Sequence, residues 1–461
     1  MGILKRIGMS AAATSAACVA ATVGITASAG WQAIPAEAAT TSVQLPIATY
    51  SHMLIDPAHH HIFFTGGPSS TSILVTDYSG NTVATIPNET GATGLALSSD
   101  GSTVYAALAS SNAISAISTS TLTETARYAT STSTEPVYVA YTSGKIWFGY
   151  NGASQSGIGS VDPSTGTMTL NATNDPINSW YSAPILAASP DGELAAGEPG
   201  QSPVQLATYD VSSGTASVLA PEFFDESADN LESMQITPDG SDLVTASGFP
   251  YYQQVYKVSD LSSVGEYPTT SYPNSVSISG DGTVAAGTDA GSNEVFVFAP
   301  GGSTPLNTYD FGSNWLATDG VALTPDGSEL FAITSADPSG DNPMLNIIPD
   351  PEQAPSTLSL TGPATARHGQ VITLSGTLGG PASDVGGQVL TVKRFDPAHP
   401  NGVTLPSVTT ATDGTFSFTD KAPQTRGQKT STVTYQVSYA GDSYLAPASA
   451  STSVTVRNDG S

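Results

Sequence analysis

Cysteine is nearly absent: Cys18 is the only one in 461 residues. It falls in an N-terminal leader, so disulfide staples, thiol catalysis and thiolate metal sites are excluded from the folded part of the chain, which needs a core large enough to stand unstapled. Basic side chains are scarce as well. Twelve Lys and Arg face 39 Asp and Glu, a formal charge of -27. Duplex nucleic acid and anionic membrane surfaces both require a basic footprint, so neither is a credible partner. Charge of either sign is thin, at 11% of residues against about 25% in an ordinary soluble domain. Solubility therefore rests on Ser, Thr, Asn and Gly around a diluted acidic surface. HExxH, GxSxG, Walker and dinucleotide motifs are missing, and no EF-hand loop is complete. No catalytic residue, cofactor or metal site is expected on these grounds. The run His59 to His61 and the loop DPSGDNP (337 to 343), with Asp337 and Asp341, read as polar turns.

The first 38 residues read as a secretory signal. Lys5 and Arg6 precede the stretch IGMSAAATSAACVAATVGITASA, and two A-x-A sites follow, with cleavage after Ala38 preferred because Pro35 lies just before it. The stretch is long enough to span a membrane but is diluted by Thr, Ser and Gly. Ser15-Ala16-Ala17-Cys18 lacks the large aliphatic residue of a lipidation site. Cleavage leaves 10 basic and 38 acidic residues and no cysteine.

What is present is a repeat. ALSSDGSTVYAAL (96 to 108), AYTSGKIWFGY (140 to 150), AASPDGELAAG (187 to 197), ITPDGSDLVTA (236 to 246), SISGDGTVAAG (277 to 287) and ALTPDGSELFAI (322 to 333) share one grammar. Their turn glycines, Gly101, Gly144, Gly192, Gly240, Gly282 and Gly327, are spaced 43, 48, 48, 42 and 45 residues apart. LIDPAHHHIFFTG (54 to 66) makes a seventh unit with His59 in the glycine position. Each unit supplies a strand, a hairpin turn and two or three further strands; the turn is Asp-Gly of the tight two-residue kind in five units, Ser143-Gly144 in one and the His59 to His61 run in the first. Periods of 40 to 50 residues built of four strands mark propeller blades. The last unit lacks its fourth strand, and SVQLPIATY (42 to 50) is a spare strand that would close the ring. The competing readings are an open β-solenoid and a pair of sandwiches, and unit length speaks against a solenoid rung.

TGLALSSDGSTVYAAL, SMQITPDGSDLVTA and DGVALTPDGSELFAI resemble the units of the secreted bacterial seven-bladed β-propellers of the YVTN-repeat and lactonase-like class. The resemblance covers residues 42 to 350 and implies a fold; the class includes enzymes, surface-layer proteins and modules of other roles. Phosphogluconolactonase-like activity is disfavoured, because a polyanion is normally held by Arg or Lys clamps. Residues 39–350 contain only Arg127, Lys145 and Lys257.

From Pro355 the pattern changes. Seven alternating stretches in about 100 residues, among them GTFSFTD and TSTVTYQVSYAGD, fit an immunoglobulin-like β-sandwich without the Cys-Trp-Cys core. The closing YAGDSYLAPASASTSVTV resembles bacterial Ig-like repeat domains. The expected organisation is thus all-β: signal 1–38, seven-bladed propeller 39–350, linker 351–355 and Ig-like domain 356–461.

Propeller geometry gathers the loops before the innermost strands at one mouth. Those loops offer Tyr50, His52, Glu135, Trp180, Tyr181, Glu232, Asn274, Trp315 and Asp319 as ligand-binding candidates, with Thr93, Asp229 and Tyr272 beside them. Aromatics next to carboxylates and uncharged polar groups suit a neutral glycan or a peptide. The expectation is a secreted or extracellular monomer, with cell-wall association open, acting as a non-catalytic binding or cell-envelope interaction protein. The alternatives are a carbohydrate-active hydrolase or lyase using carboxylates at the propeller mouth, where the repeat count sets Glu135 and Glu232 two blades apart and Asp319 on the last, so that the sequence fixes no pair at a defined separation, and a purely structural surface module.

Overall fold

The computed structural model describes residues 40–457 except 154, 175–178, 290–293, 338–339, 381–384, 424–427 and 443–444. The expected signal, with Cys18, lies outside the described residues. Among the described residues the regular secondary structure is strand, apart from a single 3-10 turn at Ala109–Ser111. Four-stranded antiparallel sheets follow one another in a β-propeller arrangement, at residues 52–87, 92–129, 136–169, 185–225, 229–268 and 273–309. A further sheet spans 315–349, and its fourth strand is Thr41–Gln44, paired with Met344–Pro349 in the register Thr41 to Ile347 through Gln44 to Met344.

The sequence of each sheet follows from its position. Third strands such as Ser72–Asp77 (SILVTD) are buried on both faces and therefore read as continuous apolar runs. The outermost strands, such as Thr82–Pro87 (TVATIP), are mostly exposed and alternate. Between each sheet and the next lies one apolar cluster. Phe63, Val75, Leu95 and Val104 join the first two sheets. Val244, Val276 and Phe298 join the fifth to the sixth. Leu45, Met53, Phe64, Phe331 and Ile347 join the last to the first.

The hairpin turns differ from expectation in an informative way. Gly101, Gly240, Gly282 and Gly327 do have positive φ, between 70° and 92°. Their N–H groups, however, donate to the carbonyls of Ser98, Thr237, Ser279 and Thr324. These are four-residue turns ending on a left-handed glycine, not tight two-residue hairpins. The Asp before the glycine explains the choice: Asp100 accepts from Ser98 Oγ at 2.6 Å and from the Ser102 N–H at 3.0 Å. The tight form occurs at Ser143-Gly144, where both φ angles are positive and Thr142 pairs with Lys145. In the first unit His60, not His59, takes the left-handed conformation (φ 55°). Buried Asp56 fixes it there, accepting from the Ala58 and His59 N–H groups and holding His59 Nδ1 at 2.7 Å.

Residues 357–457 form two more sheets around a separate core that includes Leu374, Leu390, Val433, Tyr435 and Val437. One sheet has three strands (Thr357–Leu358, Val371–Gly379, Thr415–Lys421). The other has five, in the order Thr365–Arg367, Ala448–Arg457, Thr430–Tyr439, Val389–Asp396, His399–Thr409. The segment expected as a linker is held at both ends. Asn307 Nδ2 donates to the carbonyls of Pro351 (2.9 Å) and Gln353 (2.5 Å), and Gln353 Nε2 donates to the carbonyl of Asp442 (2.8 Å).

Candidate functional site

Residues just before or within the first strands of the first, second, third, fifth and last sheets, with Asp289 after a second strand of the sixth, converge on a cavity of about 270 Å³. Tyr50 and His52 enter it from the first sheet, Thr93 and Gly94 from the second, Tyr138 from the third, Glu232 from the fifth, Asp289 from the sixth, and Trp315 to Asp319 from the last.

Its floor is built by an irregular strand. In Trp315–Leu323 the pairing steps from Leu316 opposite Thr334 to Val321 opposite Ala332, so residues 317–320 bulge out of the ladder. Asp319 sits on this bulge with φ 53°, a conformation an Asp tolerates better than most side chains. Its carboxylate reaches two other sheets: Oδ2 lies 2.7 Å from His52 Nδ1, and Oδ1 accepts from Ser233 Oγ at 2.7 Å. Tyr50 donates its hydroxyl to the Asp319 carbonyl at 2.7 Å. Burial, and then the Asp319 charge, hold the Tyr50 phenol well above its ordinary pKa.

Glu232 accepts from Thr318 Oγ1 at 2.8 Å and from Asn230 Nδ2 at 2.5 Å. Burial raises its pKa, two hydrogen bonds oppose that, and Asp289 adds a smaller rise. Asp289 is itself raised by burial. The Tyr138 phenol is pushed up to about 12, by burial first and then by Asp319, Glu198 and Glu232. No lysine or arginine lines the cavity among the described residues.

Of the nine expected site residues, Tyr50, His52, Glu232, Trp315 and Asp319 come together here, and four do not. Trp180 is buried in the seam between the third and fourth sheets, with Trp147 and Tyr209. Its backbone bridges to Ser156, which turns the ring inward. Tyr181 follows it and is 80% exposed, away from the lining. Asn274 is buried and spends its amide on the Leu316 carbonyl at 2.9 Å, tying the starts of two neighbouring first strands. Glu135 is exposed with φ 42° and binds Asn112 Oδ1 through its backbone N–H. Glu135 therefore stands outside the lining, while Glu232 and Asp289 both line it and Asp289 acts on Glu232 through its charge.

Asp289 and Glu198 were not legible as site residues. Asp289 follows a second strand, Val284–Thr288, and second strands also end at the mouth. Glu198 likewise follows a second strand, Glu193–Gly197, and accepts from the N–H groups of Tyr181 (2.9 Å) and Ser182 (2.8 Å), fixing a mouth loop. The turn after each second strand is the signal that would have found both.

No protein-family model and no curated protein matches the chain. Among solved structures, hydrazine synthase of Kuenenia stuttgartiensis is similar at a TM-score of 0.50 and 14% identity, over 63% of this chain and 94% of that one. The β-propeller domain of Cps50 (Swd1) from Myceliophteria thermophila gives 0.49 and 11%, over 67% and 99%. At such identities a likeness concerns the fold and says nothing of ligand or activity.

Proposed function

We propose that the protein is an exported, non-catalytic binding protein of the cell envelope whose propeller mouth takes a neutral sugar unit. In this reading the sheets are the blades of one closed seven-bladed ring resembling the secreted YVTN-repeat and lactonase-like class, and residues 356–461 are an immunoglobulin-like domain. The apolar cluster joining the last sheet to the first supports closure of the ring, and two sheets around one core support the sandwich.

One observation carries the ligand reading. The cavity sets a partly exposed Trp315 among hydroxyl and carboxylate groups, with no lysine or arginine among the described residues and its one histidine, His52, held against Asp319. An indole face binds the apolar face of a sugar, carboxylates accept from its hydroxyls, and an anionic ligand is disfavoured by Glu232, Asp289 and Asp319. A hydrolase reading has one specific support, the burial-raised Glu232 beside Asp289, which resembles a proton donor next to a second acid.

A panel of neutral glycans offered to the purified protein separates the readings. Saturable binding without product, weakened at least about tenfold by Trp315→Ala or Glu232→Gln, supports a binding mouth; about 1.4 kcal/mol is the corresponding loss. Product release that Glu232→Gln abolishes supports the hydrolase, and absence of binding supports a structural surface module.

A further inference from the structure

The mouth cavity is small, although at His52, Gly94, Tyr138 and Asp319 it adjoins a second space of about 450 Å³ between the first strands. At about 270 Å³ it falls below the range of roughly 300–1,000 Å³ typical of pockets for drug-sized ligands. The surface beside it is not ordinary. Phe249, Tyr251 and Tyr272 are each close to half exposed, and their rings touch in sequence: Phe249 to Tyr251 with centroids 5.7 Å apart, Tyr251 to Tyr272 at 5.5 Å. Scattered exposed apolar residues need no explanation, whereas a contiguous aromatic patch marks a binding surface.

Its position links it to the cavity. Phe249 pairs with Asp229, at the mouth end of the first strand that carries Glu232. Tyr272 accepts, through its carbonyl, the N–H of the cavity residue Asp289 at 3.1 Å. Neighbouring Asn274 ties the start of the same strand to Leu316, next to Trp315. The patch therefore lies at the mouth ends of the fifth and sixth sheets, one backbone hydrogen bond away from a residue of the cavity lining. Tyr272 also holds a left-handed backbone, φ 58°, which a bulky side chain adopts at a cost and which clusters at ligand sites. A glycine or asparagine would fit the turn with less strain; neither would present a ring.

We propose that Phe249, Tyr251 and Tyr272 form an aromatic track that extends the mouth cavity, so that the ligand is a chain of a neutral polysaccharide, with one unit in the cavity and the following units on the track. This rests on the sugar reading of the mouth and names the ligand class more narrowly. The three rings meet edge to face, at 78° and 62°, so each turns its face a different way, and a sugar chain, which offers an apolar face at each unit and twists from unit to unit, suits such a run of exposed rings. Single-stranded nucleic acid also uses aromatic platforms, but only within a positively charged groove, and this chain carries -27.

The test is a length series of neutral oligosaccharides, from one to six units, titrated calorimetrically into the full protein. The parent is compared with Tyr251→Ala/Tyr272→Asn, Phe249→Ala and Trp315→Ala; Asn is chosen at 272 because it accepts the left-handed backbone, so the melting temperature serves as a folding control. Affinity is expected to rise at least tenfold from one unit to four. The double variant should lose that gain while binding the single unit as the parent does. Trp315→Ala should weaken every length. Equal affinity for one unit and four, or a double variant that keeps the gain, overturns the track and leaves the mouth standing. A length gain insensitive to Trp315→Ala upholds the track and overturns the mouth. Binding of aromatic or proline-rich peptides in place of every sugar overturns both.

Discussion

Glu294 carries a cost that its neighbours offset only in part, through a hydrogen bond from the Phe311 backbone. Its side chain is 3% exposed, and one carboxylate oxygen is buried without a hydrogen-bond partner among the described residues. Burial, and then the charge of Asp310, push its pKa from 4.5 to about 7. The unfolded chain releases this proton near pH 4.5 and the folded chain only near 7, so between them the folded state binds more protons. Stability from this group accordingly falls as pH rises through that window. Glu294→Gln should match the parent near pH 4 and exceed it by about 1–3 kcal/mol at pH 8, as read from urea melts at the two values. Equal stability at both would mean that the carboxylate is solvated. At this same scale the chain discloses which end of a sheet a residue occupies but not where its side chain points. By the repeat, Trp315 and Trp180 belong to corresponding mouth segments, yet Trp315 opens the strand Trp315–Leu323 and lines the cavity, while Trp180 lies ahead of Ile185–Ala188 and fills a seam. Packing of neighbouring sheets decides between them, and no spacing along the chain encodes it.

At the scale of elements the strand at the N-terminus is the most informative piece. Six sheets draw their four strands from consecutive chain, and the last borrows Thr41–Gln44. That borrowing was legible because a repeat with a missing strand and a spare strand upstream complete one another. The bulge at 317–320 was not legible: it replaces one residue of a regular strand by several, and its hydrophobic pattern resembles that of the other units. Removing residues 40–47 would strip Leu45 and Val43 from the seam between the last and first sheets and leave the edge of Met344–Pro349 unpaired. The expected loss is about 3–5 kcal/mol from buried apolar surface and the exposed edge, and a fall in melting temperature of about 5 °C or more. A truncated protein that melts within error of the parent would show that the strand adds nothing to the sheet it joins.

For the whole molecule the question is how the two parts of the chain are joined. Composition marked the boundary, since PDPEQAP is too rich in proline and acid for a strand, but it gave no sign that the segment is pinned. The pinning comes from side chains far along the sequence. Besides Asn307, Tyr309 donates its hydroxyl to the Pro351 carbonyl at 3.3 Å, and Ala354 bridges to Leu445. Glu352 lies so close to Gly327 that a Cβ there would collide with its carboxylate. Gly327 belongs to the turn after a first strand, at the end of the sheet away from the mouth, so the second domain attaches there and leaves the mouth uncovered. Asn307→Ala removes two hydrogen bonds, each worth about 1 kcal/mol, and should let the segment open roughly thirtyfold more often. A glutamate-specific protease should then cut at Glu352 about thirty times faster than in the parent, with the melting temperature unchanged. Residues 354–461 released or expressed alone should still melt cooperatively, because their core is their own. Cleavage at the parental rate would mean that the Asn307 bonds do not hold the junction, and an unfolded fragment would mean that the second domain depends on the first for more than attachment.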